Sequence, residues 1–348
     1  MKGTLVLKDG SKFEGQIFGS PKSTSGELVF STGMMGYPES LTDPSYKGQI
    51  LVLTYPLVGN YGVPDKDFWE SDRIMVEGLV VSDYIDTPSH YQSRKTLSEW
   101  FKEENLPIIQ VKDTRFLTQK IRDRGSILGK IQVLENVSFY DPNKESLIDK
   151  VSIDTMNTKG SGKKRILLFD CGAKRNIRKR LLARDTTVIT VPWNLDPFLE
   201  KNLKFDGIVI SNGPGDPKFA QETIKIIRKA LGKKVPTLGV CLGHQLLTLA
   251  AGGDTKKMKY GHRSQNQPCT MFEKGKETSR CYITTQNHGF CVSRIPKDFY
   301  PWFVNANDGT NEGIIHKKLP FLSVQFHPEA MPGPTDADWI FDFFLSKI

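Results

Sequence analysis

The stretch TLGVCLGHQLL, residues 237–247, is an apolar run that turns at a cysteine into a segment of helical character. Gly239 and Gly243 bracket Cys241 in a G-x-C-x-G spacing. That spacing parallels the G-x-S-x-G elbow, in which a sharp strand-to-helix turn pushes a nucleophile into the open. Small neighbours let the backbone bend and leave room for a substrate. A thiol there also faces the positive end of the helix dipole, which favours a sulfur anion. An isolated cysteine in an apolar run is usually inert packing; the elbow is what points to chemistry.

Outward from this turn, short apolar runs bounded by Gly or Pro alternate with helical stretches. RILLFDCG (165–172) leads into a basic helix, and TTVITVPW (186–193) follows it. FDGIVISNGPGDP (205–217) leads into AQETIKIIRKAL (220–231). This βαβα rhythm predicts an α/β fold with a doubly wound, mostly parallel sheet over residues 165–348. Reactive groups in such sheets collect at the carboxyl ends of strands, and two further segments fall there. FLSVQFHPEAMPGP (321–334) carries His327 and Glu329 two residues apart, so that in an extended segment both project to one side. A thiol nucleophile needs a base, and the base needs an orienting acceptor. ISNGPGDP (210–217) ends another strand with Gly213 and Gly215. Read alone it is a plain turn; beside a nucleophile it offers a backbone N–H to a developing oxyanion. TTQNHGF (284–290) supplies Asn287, His288, Gly289 and Phe290, a loop that could hold an amino acid through an amide and backbone groups but that alone identifies no site. Neither the Gly-Pro-Gly turn nor GSILGK (125–130) satisfies a nucleotide-binding pattern.

The preceding half reads as strands and turns. TLVLKDGSKFEGQIFG (4–19) alternates around Asp9-Gly10, a hairpin signal. GELVFST and GQILVLTYP are strand candidates, and TLSEWFKEEN and TRFLTQKIRDRG are helical. This predicts a smaller, strand-rich α/β amino-terminal domain over residues 1–151. SIDTMNTKGSGKK (152–164) is polar and small, which reads as a linker.

Hydrophobic residues make up 38% and charged residues 25% of the 348 positions, a globular composition without a membrane-length apolar run. The start MKGTLVLKDG lacks the features of a secretory or transit segment, so the expected compartment is cytoplasmic. Five cysteines without a C-x-x-C pair argue against a disulfide framework and a zinc site; no metal is expected. The charge of +9 concentrates in Lys163, Lys164, Arg165, Lys174, Arg175, Arg178, Lys179, Arg180 and Arg184. With no aromatic residue interleaved to stack on bases, the run reads as a solvated helix face that could meet a protein partner, and nucleic acid is not expected.

The four segments, in this order, resemble the class I, triad-type glutamine amidotransferases. The first half narrows the resemblance: GELVFSTGMMGYPESLTDPSYKGQILVLTYPLVGNYGVP, DTRFLTQKIRDRGSILGKI, YGHRSQNQP and NANDGTNEGI look like the carbamoyl-phosphate synthetase small subunit. GNYGVP and the missing transit peptide look more like the pyrimidine-pathway form than the arginine one. The resemblance implies Cys241 as nucleophile, His327 as base and Glu329 as its orienter, with the backbone N–H groups of Gly213 and Leu242 as oxyanion hole. Ser45, Gly215, Gln245, Asn287, Gly289 and Phe290 match glutamine-binding positions, Ser45 from the other domain. It implies that glutamine is hydrolysed to glutamate and ammonia. The ammonia would go to a synthetase large subunit or fused synthetase domain. ATP, magnesium and bicarbonate would bind that partner, with no cofactor in this chain. A free-standing γ-glutamyl hydrolase and a non-catalytic partner subunit are the competing readings.

Overall fold

The computed structural model describes residues 1–348, which divide into two compact units, Met1–Glu145 and Ser146–Ile348. In the first, seven strands close a barrel in the order β1-β2-β6-β5-β4-β3-β7. They are β1 (Lys2–Leu7), β2 (Lys12–Gly19), β3 (Thr24–Ser31), β4 (Gln49–Leu53), β5 (Gly78–Val81), β6 (Pro107–Gln110) and β7 (Ile127–Gln132). The Asp9-Gly10 signal is the β1–β2 hairpin, with Val6 opposite Lys12 and Gly10 at φ 89°. Closure removes the open sheet edges that would otherwise invite pairing with another chain.

Three helices belong to this unit: α1 (Tyr37–Leu41), α2 (Leu97–Glu103) and α3 (Thr114–Arg124). Helix α2 starts in a capping box, where Thr96 accepts from the Glu99 N–H and Glu99 accepts from the Thr96 N–H. Its Leu97, Trp100 and Phe101 pack with Val29, Leu51, Leu53, Leu79, Val81 and Ile108 on one alternation of β3–β6. The other alternation, Leu28, Ile50, Val52, Val80 and Ile109, is fully buried and faces the barrel interior.

The second unit is a ten-stranded sheet. Its strands are β8 (Asn157–Lys159), β9 (Lys164–Asp170), β10 (Thr186–Pro192), β11 (Gly207–Ile210), β12 (Thr237–Val240), β13 (Asp254–Glu273), β14 (Lys276–Arg294), β15 (Phe299–Asn305), β16 (Asn311–His316) and β17 (Phe321–Val324). The order is β14-β13-β15-β16-β17-β12-β11-β9-β10-β8. Only the central five, β10-β9-β11-β12-β17, are parallel. Helices α4 (Arg175–Leu182) and α7 (Trp339–Leu345) cover one face, and α5 (Gln221–Gly232) and α6 (Leu242–Ala250) the other. Strand β9 shows why both faces need cover: Ile166 and Leu168 belong to the first core, Leu167 and Phe169 to the second.

Two expectations need correction here. Residues 152–164, read as a linker, lie in the second unit. Asn157–Lys159 adds to β10 as an antiparallel edge strand, with Ile189 opposite Thr158, and Lys164 already begins β9. A short polar strand at a solvated edge has no apolar alternation by which sequence could flag it. The sheet also gains an antiparallel arm, β13–β16, that the βαβα reading did not include.

The elbow depends on close backbone approach. A Cβ on Gly243 would stand 2.2 Å from the Ile210 carbonyl oxygen, and one on Gly239 would stand 2.4 Å from the Gly243 oxygen. Gly243→Ala should therefore cost about 1–3 kcal/mol through overpacking. Calorimetry of the whole chain should show the loss as a lowered unfolding temperature; equal stability would contradict this packing.

Candidate active site

Cys241 sits between β12 and α6 at φ 52°, ψ −102°, an unfavourable conformation for a residue with a side chain. Such strain costs on the order of 1–3 kcal/mol and persists only where surroundings impose it. Here Cys241 N–H donates to the Val324 carbonyl at 2.8 Å, and the Cys241 carbonyl accepts from His244 and Gln245. The sulfur is 3.7 Å from the Asn287 carbonyl oxygen, and Gln325 Nε2 donates to it at 3.6 Å.

Strand β17 ends at Val324, three residues before His327, so the two triad candidates do not stand on an extended segment as expected. The chain turns instead, with Ala330 N–H donating to the His327 carbonyl. The turn still joins the side chains: His327 Nδ1 meets Glu329 Oε1 at 2.5 Å, both groups being buried. The acceptor fixes the tautomer, since Nδ1 must carry the proton. His327 Nε2 is buried without a hydrogen bond of ordinary geometry. The Cys241 side chain is nonetheless near enough to act on the ring, by charge and by hydrogen bonding. Catalytic contacts of this kind commonly close only when substrate arrives.

Burial works against a charged His327, but Glu329 and then Cys241 override it and raise the imidazole to about 10. Burial likewise opposes the Glu329 anion, and His327 with Lys174 overrides it, holding the carboxyl at about 2. Lys174 is the residue that sequence reasoning misplaced. Read as part of a solvated basic face, it is 2% exposed, with Nζ 3.2 Å from Glu329 Oε1 and 2.5 Å from the Ala330 carbonyl. Its own N–H donates to Asn212 Oδ1 at 2.9 Å. The neighbouring Asn176 amide donates to the Glu329 carbonyl. Arg180 pairs with Asp338, and Arg184 with Asp338 and Asp342, at the partly exposed edge of the α7 region. A usable signal existed for Lys174: it follows DCGA at the carboxyl end of β9, where parallel-sheet sites gather. Gln325 was missed too, although it precedes His327 by two residues.

The remaining candidates of this unit fall around the elbow. Gly213 passes the Cys171 carbonyl so closely that a Cβ would stand 2.0 Å from its oxygen. Gly243 N–H donates to the Ser211 carbonyl at 3.0 Å, which joins the Gly-Pro-Gly turn to α6. Leu242 is the first residue of α6, where helix N–H groups lack an intrahelical acceptor. Gln245 Nε2 donates to the Phe290 carbonyl at 2.9 Å and to Gln325 Oε1 at 3.0 Å. Gly289 lies against the Arg263 guanidinium, and Gly215 takes φ 83° beside Leu147. Ser45 belongs to the first unit, in the single turn Pro44–Tyr46, where its N–H donates to Asp43 Oδ1. A separate buried group, His262, His288 and Glu312, is the one arrangement with metal-ligand character.

The charge pair makes stability pH-dependent. His327 stabilises the fold fully below its ordinary 6.5, and that contribution is lost as pH rises toward about 10. Glu329 contributes above its ordinary 4.5 and loses this as pH falls toward about 2. Glu329→Gln should cost about 3–5 kcal/mol, because it leaves the buried Lys174 ammonium without its counter-charge. NMR of ring-labelled histidine should find His327 charged at pH 7 in the parent and neutral in the variant. A neutral ring in both would refute this electrostatic picture.

Comparison with known proteins agrees along the whole chain. Residues 167–347 match the glutamine amidotransferase class-I family, and residues 5–131 match the carbamoyl-phosphate synthase small chain, CPSase domain. Multifunctional protein CAD of Squalus acanthias is 47% identical over 98% of this chain, and multifunctional protein URA2 of Saccharomyces cerevisiae is 44% identical over 99%. The chain spans only 16% and 17% of those two proteins. The carbamoyl phosphate synthase arginine-specific small chain of Neurospora crassa is 42% identical over 100% of this chain and 80% of its own length. The chain therefore belongs to the carbamoyl-phosphate synthase small-chain family, and its second unit to the class-I glutamine amidotransferases.

Proposed function

We propose that this chain hydrolyses glutamine to glutamate and ammonia, and that the ammonia serves carbamoyl phosphate synthesis on a synthetase subunit or fused synthetase domain. The observation that carries the reading is the gathering of a strained, helix-capping Cys241 with the buried His327–Glu329 pair. Cys241 attacks the side-chain amide carbon of glutamine. The tetrahedral oxyanion takes hydrogen bonds from the backbone N–H groups of Gly213 and Leu242, each typically worth about 3–4 kcal/mol. His327, charged through Glu329, gives its proton to the departing ammonia. The neutral ring then takes a proton from water, whose oxygen attacks the thioester carbon. Glutamate leaves, and His327 and Cys241 are restored.

Gln245, Asn287, Gly289, Phe290 and Gly215 hold the amino-acid end of glutamine. Lys174 keeps Glu329 ionised and aimed at His327. The family membership supports the synthetase as the ammonia acceptor; ATP, magnesium and bicarbonate belong to that acceptor, and this chain needs no cofactor for the amide chemistry. The resemblance of GNYGVP to the pyrimidine-pathway form favours that pathway over arginine, in the cytoplasm. No helix is long and apolar enough to cross a membrane.

Cys241→Ala should lower glutaminase turnover by more than about a thousandfold with unchanged circular dichroism. Supplied with a synthetase, the variant should still support carbamoyl phosphate formation from free ammonia. Glutaminase activity near the parent level in Cys241→Ala would overturn the proposal.

A further inference from the structure

His262 on β13, His288 on β14 and Glu312 on β16 come together at the antiparallel arm. All three are buried, Glu312 completely, and their ligand-type atoms lie within 4.8 Å of one another. Each imidazole has one nitrogen already committed. His262 Nε2 faces the Asp308 carboxylate at 2.9 Å, and His288 Nδ1 faces the Phe290 carbonyl at 2.8 Å. Both partners only accept, so both of these nitrogens carry the proton. In neutral rings that leaves lone pairs on His262 Nδ1 and His288 Nε2.

Those two lone pairs meet oxygen, not hydrogen. Gln286 Oε1 is 2.8 Å from His262 Nδ1 and 3.0 Å from His288 Nε2. Its amide nitrogen is turned away, donating to Cys269 Sγ at 3.3 Å and Thr284 Oγ1 at 3.2 Å. Glu312 Oε1 is 3.5 Å from His262 Nδ1. Glu312 Oε2 is 4.0 Å from His288 Nε2 and has no hydrogen-bond partner. With the Gln286 amide in this orientation, four electron-pair donors converge on one buried spot, an array that repels itself unless a cation sits within it.

We propose that His262, His288, Glu312 and Gln286 bind one divalent first-row transition-metal ion of the zinc class, which pins β13, β14 and β16 together. The ligand set suits such an ion, since two imidazoles, a carboxylate and an amide oxygen are borderline-to-hard donors. Bonds of about 2.0–2.2 Å in a tetrahedron place ligand atoms about 3.3–3.6 Å apart. The separations of 2.8–4.0 Å bracket that spacing, so small side-chain shifts complete the shell. The outer contacts are those of metal-bound histidines, one ring backed by a carboxylate and the other by a backbone carbonyl. A dication also balances Glu312 and Asp308 with both rings neutral. Asp308 has a side chain 41% exposed, which leaves an entry path from solvent. His288 stands between Asn287 and Phe290, whose carbonyls lie near Cys241 Sγ and hold Gln245. The ion would thereby brace the segment that lines the nucleophile, without touching the reacting atoms.

The competing arrangements are a proton on His262 and a Gln286 amide turned to donate to both rings, and metal analysis separates both from a bound ion. The full chain, stripped with chelator, reloaded with zinc and dialysed, should retain about one zinc per chain. Loaded with cobalt(II), it should show tetrahedral d–d bands without sulfur-to-cobalt charge transfer, and Cys241→Ala should leave both results unchanged. Asp308→Asn, at a partly exposed position where folding is not at stake, should weaken zinc binding about tenfold or more. Glu312→Gln should abolish it. Failure of the parent chain to retain zinc, or a cobalt spectrum with thiolate bands, would overturn the site. Either failure leaves the amidotransferase reading standing, since neither result bears on Cys241 chemistry.

Discussion

The second unit turns on three charged groups removed from water together. Lys174, His327 and Glu329 are each at most 2% exposed, and each alone would cost several kcal/mol to bury. They are tolerable only as an assembly, with Glu329 Oε1 taking both the imidazole N–H and the ammonium. That requirement joins the loop after β9 to the turn after β17, segments about 150 residues apart. The Asn176 amide and the Ala330 carbonyl join the same pocket, the amide donating to the Glu329 carbonyl and the carbonyl accepting from Lys174. The geometry demanded by charge burial is the geometry that presents His327 Nε2 toward Cys241.

The parallel core supplies the frame. Strands β9, β11, β12 and β17 deliver Lys174, the Gly-Pro-Gly turn, Cys241 and the His327 turn at their carboxyl ends, which is where a doubly wound sheet leaves an open crevice. Strain is concentrated at Cys241, and the surrounding backbone contacts at Gly239, Gly243 and Gly213 are too tight for any side chain. Rigidity and reactivity are thus set by the same close approach of strand to helix. The antiparallel arm completes the surroundings from the other side, bringing the Asn287 carbonyl to the sulfur and the Phe290 carbonyl to Gln245.

Much of this was legible in the chain itself, because the signals were local. The elbow glycines, the His-Pro-Glu run and the Gly-Pro-Gly turn each announce a strand end within a few residues, and Asp9-Gly10 marks its hairpin just as locally. What escaped was set by partners far away in sequence. Lys174 looks like one more cation of a basic helix until Glu329 is placed beside it. Asn157–Lys159 looks like linker because an edge strand needs neither apolar alternation nor length. The histidines at 262 and 288 and the glutamate at 312 follow no ligand spacing, since three different strands contribute them.

The most direct test of the account is which cysteine a diazoketone analogue of glutamine captures. Cys281 is exposed, whereas Cys171, Cys241, Cys269 and Cys291 are buried, so unselective alkylation favours Cys281. Peptide mass analysis after brief exposure should find the adduct on Cys241 alone, and free glutamine should protect it. An adduct on Cys281 with Cys241 unmodified, or labelling indifferent to glutamine, would contradict the central claim.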